Sequence, residues 1–132
     1  MFQPRPADIA AFDPDELGMA ALTAFFNITA AWHLAAEEER VLLGAPPRST
    51  FFKWKSERTA RLSADTLERI SYVMGIHKAL RILLPTQEAA DSWVKKPNTA
   101  NGFGGKSALQ RMLAGRVVDL ADVRRYLDAE RG

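Results

Sequence analysis

Between Trp32 and Leu84 the chain changes character three times, and that succession limits its fold more than any other feature. An acidic stretch, Glu37-Glu38-Glu39, runs on to Gly44. A cationic stretch follows, Pro47-Arg48-Ser49-Thr50-Phe51-Phe52-Lys53-Trp54-Lys55, and a long apolar-periodic segment opens at Ser63. Gly44 suits the position just past a short helix over Ala35 to Leu43, where a left-handed backbone costs glycine little. Pro46 and Pro47 fix the next turn and open a helix, because proline's missing amide falls where first-turn amides have no partner. Ser63 is a good N-cap for a further helix, with Asp65 near its positive end. An acidic helix, a cationic helix and a long apolar one, in that order, predict a helix-turn-helix built to meet a phosphate backbone.

The cationic helix sorts its side chains by face. Phe51 and Trp54 lie three residues apart on one side. Ser49, Thr50, Lys53 and Ser56 fall on the other. From Gly44 to Arg61 there are five cations (Arg48, Lys53, Lys55, Arg58, Arg61) against one anion, Glu57. The DNA-binding reading turns Ser49, Thr50 and Lys53 to the major groove and sets Arg48, Lys55, Arg58 and Arg61 on flanking phosphates. Phosphate contacts supply salt-dependent affinity, and base-edge contacts supply sequence preference. The competing reading is a solvated basic face. The glycine-proline turn and the buried aromatics, occurring together with the charge, favour DNA. Phe52 falls outward, where a thymine methyl or a second subunit would meet it, unless the helical register is displaced.

Elsewhere, helical periodicity accounts for most of the chain. Residues 1 to 14 hold three prolines and read as a loose arm. Leu22, Phe25, Phe26 and Ile28 recur at helical spacing between Glu16 and Trp32. Leu67, Ile70, Val73 and Met74 form the stripe of the helix opened by Ser63; Gly75 breaks it before Ile76, Leu80, Leu83 and Leu84 resume, and Pro85 ends it. Thr86 to Val94 is a short helix carrying Trp93. Lys96 to Lys106 is an irregular loop with three glycines, two asparagines and Phe103. Ser107 and Gln110 match a capping box. The helix they open stops at Gly115, and Asp119 caps a last helix with Val123, Tyr126 and Leu127 inward. Arg116 to Val118 could make one brief extended pair. The fold class expected is all-α, in two linked helical units: an arm over 1–14, a helix-turn-helix unit over 15–85 and a small helical unit over 86–132.

Composition excludes several functions. Of 132 residues, 47% are hydrophobic, enough for a real core, and no cysteine supplies a disulfide or a thiolate zinc site. No apolar run approaches the roughly 20 residues of a membrane span, and Met1 to Pro6 lacks the apolar core of a signal peptide. A cytoplasmic protein is expected. Gly105-Lys106-Ser107 imitates the tail of a phosphate-binding P-loop, but that motif needs a glycine where Ala100 stands and a preceding strand that Lys96 to Ala100 cannot make. His33 and His77 lack metal-ligand spacing and read as surface or half-buried imidazoles. Glu37-Glu38-Glu39 reads as solvated helix surface, not an acid/base pair. No nucleophile–base set assembles, so no enzyme, no cofactor and no small-molecule substrate is expected.

Two sets of residues resemble the ParS/MbcA/Xre antitoxin family, partners of RES-domain toxins. The first holds Leu42-Leu43-Gly44, Trp54-Lys55, Leu62 through Ile70 and Gly75 through Leu80. The second, more specific, holds Trp93, Pro97-Asn98, Phe103-Gly104-Gly105-Lys106-Ser107-Ala108-Leu109, Leu113, Gly115 and Val123 through Leu127. Ala108 departs from a proline common in the family; at the first helical position the change only loosens the helix start. The resemblance implies an Xre-like helix-turn-helix bundle, often dimeric, that represses the shared operon through its operator DNA. It also implies a C-terminal domain that blocks a toxin consuming NAD⁺ or transferring ADP-ribose.

On that reading Arg48, Ser49, Thr50, Lys53, Lys55 and Arg58 contact DNA. Trp93, Asn98, Phe103, Gly104, Gly105, Lys106, Arg124, Arg131 and Gly132 contact the toxin. Phe103 is expected exposed at the loop tip as an apolar anchor; the plainer alternative puts it in the core. The rival functions are a free-standing regulator with a C-terminal dimerisation domain and an interaction module that has lost DNA binding.

Overall fold

The structure, a computed structural model, describes residues 13–100 and 102–132. The expected arm therefore lies outside the described residues except for its last two. Asp13 accepts a hydrogen bond from the Asp15 amide as N-cap, and Pro14 opens helix α1, Pro14–Ala31. α2 spans Ala36–Leu42, α3 Arg48–Glu57 and α4 Ala64–Leu83. After Pro85 come α5, Gln87–Ser92, a 3-10 turn over Trp93–Lys95, α6, Ala108–Met112, and α7, Val117–Glu130.

Cap chemistry places most of these ends. Ser63 accepts the Thr66 amide at the start of α4, and Thr86 accepts the Ala89 amide at the start of α5. Ser107 and Gln110 close the expected capping box around α6. The last helix begins earlier than expected. Asp119 is its third residue and reaches back to the Arg116 amide, so Arg116 is the N-cap and Val117 and Val118 lie in the first turn. The brief extended pair over 116–118 is thereby excluded. Among the described residues the only β-type pairing is an isolated bridge between Pro97 and Ser107.

α4 is the spine. It packs against α1 on one side and α7 on the other. Ile70, Val73, Ile76, Ala79 and Leu80 are buried along it, whereas Met74, expected in that stripe, is 38% exposed because it lies beyond the stripe's edge. The buried residues of both halves form one cluster, from Phe25, Trp32 and Phe51 through α4 to Val94, Met112, Leu120 and Val123. Each large side chain so buried contributes about 1.5–3 kcal/mol. Gly75 does not break α4. There the Arg124 guanidinium, from α7, occupies the space a Cβ would take. The glycine makes room for that side chain in place of the expected break.

Candidate functional site

α2 and α3 form the helix-turn-helix, and each of the three glutamates makes a contact that builds it. Glu37 receives Nε and Nη2 of Arg40 at 3.1 and 2.6 Å, which holds its carboxyl below the ordinary glutamate value. Glu38 accepts the Ala35 amide at the start of α2. Glu39 is 2% exposed; it accepts the Thr29 hydroxyl at 2.5 Å and Nζ of Lys55 at 2.6 Å. The expectation of a solvated acidic face fails for Glu39. A short helix must dock against α1 and α3, and a carboxylate with two donors is tolerated at that seam.

The turn itself is fastened from two sides. Arg40 donates to the Pro46 carbonyl at 2.8 Å. Arg69, on α4, pairs with Asp65 and donates to the Gly115 carbonyl at 2.9 Å, while its side chain packs over Gly44. One arginine thus touches both the turn before α3 and the turn before α7.

α3 divides much as its sequence predicts. Phe51 is buried and Trp54 half-buried, while Ser49, Phe52, Lys53 and Ser56 are exposed. Thr50 is half-buried at the margin. Arg48 is 73% exposed and lies 3.6 Å from Glu37, a surface pair worth at most about 1 kcal/mol. Lys53 has no ion-pair partner among the described residues. Lys55 and Arg58 are placed differently from the expected phosphate-gripping pair. Lys55 is committed to Glu39 and stands 5.8 and 6.0 Å from the Phe26 and Phe51 ring centres. Arg58 takes a left-handed backbone past the end of α3 and lays its guanidinium over Phe26 at 5.4 Å. Both cations tie α3 to α1. Arg61 is 72% exposed, 3.4 Å from Asp15.

The second surface is the loop over 96–106 and what it rests on. Asn98 shapes it: its backbone pairs with Lys106 and Gly105, and its side chain accepts the Ala100 amide at 2.8 Å. Gly102, Gly104 and Gly105 all have positive φ, where other residues are strained. Phe103 is 7% exposed and not an exposed tip. It meets Tyr126 edge-on at 5.0 Å and Trp93 at 6.2 Å, and Trp93 stacks on Tyr126 at 6.3 Å. The apolar anchor is thus turned inward, where a Phe ring gains more from burial than from water. Gly104, Gly105 and Lys106 stay exposed on the outside of that platform, as do Arg131 and Gly132 at the chain's end. Arg124 lies over Gly75 and reaches Asp128 and the Ser71 carbonyl at 3.5 Å, so it spans the seam between α4 and α7.

Tyr126 is inward as its spacing predicts, and Arg111 is a support residue the sequence did not single out. Arg111 donates to the Gly102 carbonyl and to Asp122, both at 2.6 Å, pinning the loop to α7. An i, i+11 relation between helices has no signature in a single sequence. Trp93, half-buried in the stack, and Asn98, spent on the loop, are placed to hold the surface's shape. His33 is exposed and donates no ring contact; its carbonyl takes Nζ of Lys95 at 2.6 Å. His77 is half-buried, and that burial pushes its imidazole below the ordinary value. No cluster of metal-ligating side chains exists among the described residues, and no described helix is long and apolar enough to cross a membrane.

Comparison with known proteins matches the chain in two parts that meet within α4. Residues 12–75 match the antitoxin Xre-like helix-turn-helix domain. Residues 79–132 match the antitoxin Xre/MbcA/ParS C-terminal toxin-binding domain. An uncharacterized protein of Sinorhizobium fredii (strain NBRC 101917 / NGR234), y4oB, is 54% identical over 113 residues, covering 86% of this chain and 85% of that protein. With a helix-turn-helix match over its first part and a toxin-binding match over the rest, the chain belongs to the Xre/MbcA/ParS antitoxin family.

Proposed function

We propose that this antitoxin binds and inhibits a RES-domain toxin that consumes NAD⁺ or transfers ADP-ribose, and that as a homodimer in the cytoplasm it represses its own operon. The observation that carries the reading is the separation of two exposed surfaces on one rigid core. α3 presents Arg48, Ser49 and Lys53 outward with Thr50 at the margin, held by Phe51 and the Lys55–Glu39 pair. At the other end Gly104, Gly105 and Lys106 lie exposed, as do Arg131 and Gly132, and Lys106 and Arg131 offer cations.

Each surface has a physical task. Exposed cations beside the glycine loop suit carboxylates that line a nucleotide cleft. A helix face of hydroxyls and cations suits a duplex, with affinity falling steeply as salt rises. Lys55 and Arg58 act here by fixing α3 and not by gripping phosphates.

The test is co-expression with the protein encoded by the adjoining gene. The reading expects a complex on pull-down and relief of growth arrest. A neighbour that forms no complex, or whose toxicity is untouched, refutes the toxin half. A gel shift with the promoter duplex over a salt series tests the operator half, and no salt-dependent shift refutes it.

A further inference from the structure

The outward face of α3 carries one residue that charge and hydrogen bonding do not explain. Phe52 is 52% exposed at the middle of a ten-residue helix, with Ser49 three positions before it, Ser56 four positions after it and Lys53 beside it. A phenyl ring left in water among hydroxyls and an ammonium is unfavourable unless something apolar meets it.

The ring is also held. Phe52 stands edge-on to Phe51, centres 5.1 Å apart and planes at 74°. Phe51 meets Phe26 at 5.9 Å, and Phe26 meets Phe25 at 5.2 Å, both edge-on. Four rings therefore run as a ladder from the fully buried Phe25 to the surface. Such pairs are favourable beyond their burial, so Phe52 has less freedom to lose on binding than a free surface ring.

What could cover it is limited by its surroundings. A second copy laid across α3 would bring Arg48 and Lys53 against their own images, and like charges at an interface are costly. A duplex reverses that sign: the same cations meet phosphates, the serines meet base edges, and the apolar group available in a major groove is the C5 methyl of thymine.

We propose that Phe52 is a specificity-determining residue that reads thymine methyl groups in the operator's major groove. This rests on the operator-binding reading above and goes beyond it, since it assigns a base preference to a residue with no polar contact to make. Arg48 and Lys53 set affinity, and Phe52 sets where along the duplex α3 settles.

The experiment uses the full chain and duplexes of its own promoter in which thymines are replaced, one at a time, by deoxyuridine, which lacks only the methyl. The wild-type chain is expected to lose affinity about fourfold at one or two positions, the worth of one buried methyl, and to ignore the rest. Phe52→Ala is expected to bind the natural duplex about tenfold more weakly than wild type and to lose the methyl dependence at those positions. Phe52→Leu, which keeps an apolar side chain, is expected to retain it. Wild-type binding indifferent to every methyl overturns the proposal, as does Phe52→Ala with the dependence intact. A Phe52→Ala chain that instead changes oligomeric state by light scattering assigns the ring to self-association and also overturns it. Failure of the operator reading looks different: neither wild type nor variant then binds any duplex in a salt-dependent way.

Discussion

Gly18 and Gly75 are both helical, both buried and both pressed by a neighbour, yet the structure gives opposite outcomes for the same substitution. A Cβ on Gly18 would overlap the Ala60 carbonyl oxygen and stand 3.0 Å from its carbonyl carbon. That obstacle is backbone, in the segment joining the end of α3 to the Ser63 cap of α4, and it cannot rotate away. Overpacking of this kind costs about 1–3 kcal/mol, and rigid backbone puts Gly18→Ala at the upper end. The helical preference of alanine over glycine returns about 1 kcal/mol. A net loss of about 2 kcal/mol follows, a fall in melting temperature of about 8 °C for a domain of this size. A Cβ on Gly75 meets Nη1 and Nε of Arg124 at 2.5 and 2.6 Å, the far end of a flexible side chain. Arg124 can swing outward, giving up a pair with Asp128 worth at most about 1 kcal/mol, which the alanine preference offsets. Gly75→Ala is therefore expected to melt within about 3 °C of wild type. Thermal unfolding followed by circular dichroism decides it. A Gly18→Ala chain as stable as wild type, or a Gly75→Ala chain that loses as much as Gly18→Ala, refutes the reasoning.

Two further predictions concern the carboxyl half. Asp119 is fully buried, and its hydrogen bond from Arg116 holds its carboxyl below the ordinary aspartate value of 3.8. A folded value below the unfolded one means that its contribution is complete above about pH 4 and drains as pH falls further. Denaturant titrations at pH 7 and pH 3 should show Asp119→Asn losing less stability between them than wild type does; equal losses contradict the assignment. Phe103→Ala removes the ring that Trp93 and Tyr126 enclose. It should cost about 3 kcal/mol and weaken toxin capture while the promoter shift survives. Capture at wild-type strength would show that the platform does not hold the loop.

Much of the fold is legible because local chemistry announces it. Ser63 and Ser107 cap helices through side-chain oxygens as their spacing predicts, and Phe51 and Trp54 show the inner face of α3 by spacing alone. Tertiary partners are what the sequence conceals. Glu39 looks like Glu37 and Glu38 until Thr29 and Lys55 are brought to it from two other helices. Gly75 reads as a break because nothing local shows that Arg124, 49 positions on, needs the room. Phe103 sits among glycines as a loop tip would, and only the fold delivers Tyr126 and Trp93 to bury it. For the same reason Lys55 and Arg58 read as phosphate ligands although both are held against Phe26.

Charge reversal at the two surfaces, read out on both partners, puts the central idea to its most direct trial. Lys53→Glu and Lys106→Glu each change an exposed side chain, so neither should disturb folding. The gel shift with promoter duplex and the pull-down of the neighbouring gene's product are then run on both variants. Lys53→Glu should lose the shift and keep the toxin, and Lys106→Glu should lose toxin affinity and keep the shift. Both variants failing both assays, or each passing both, would contradict an antitoxin with separate faces for DNA and for its toxin.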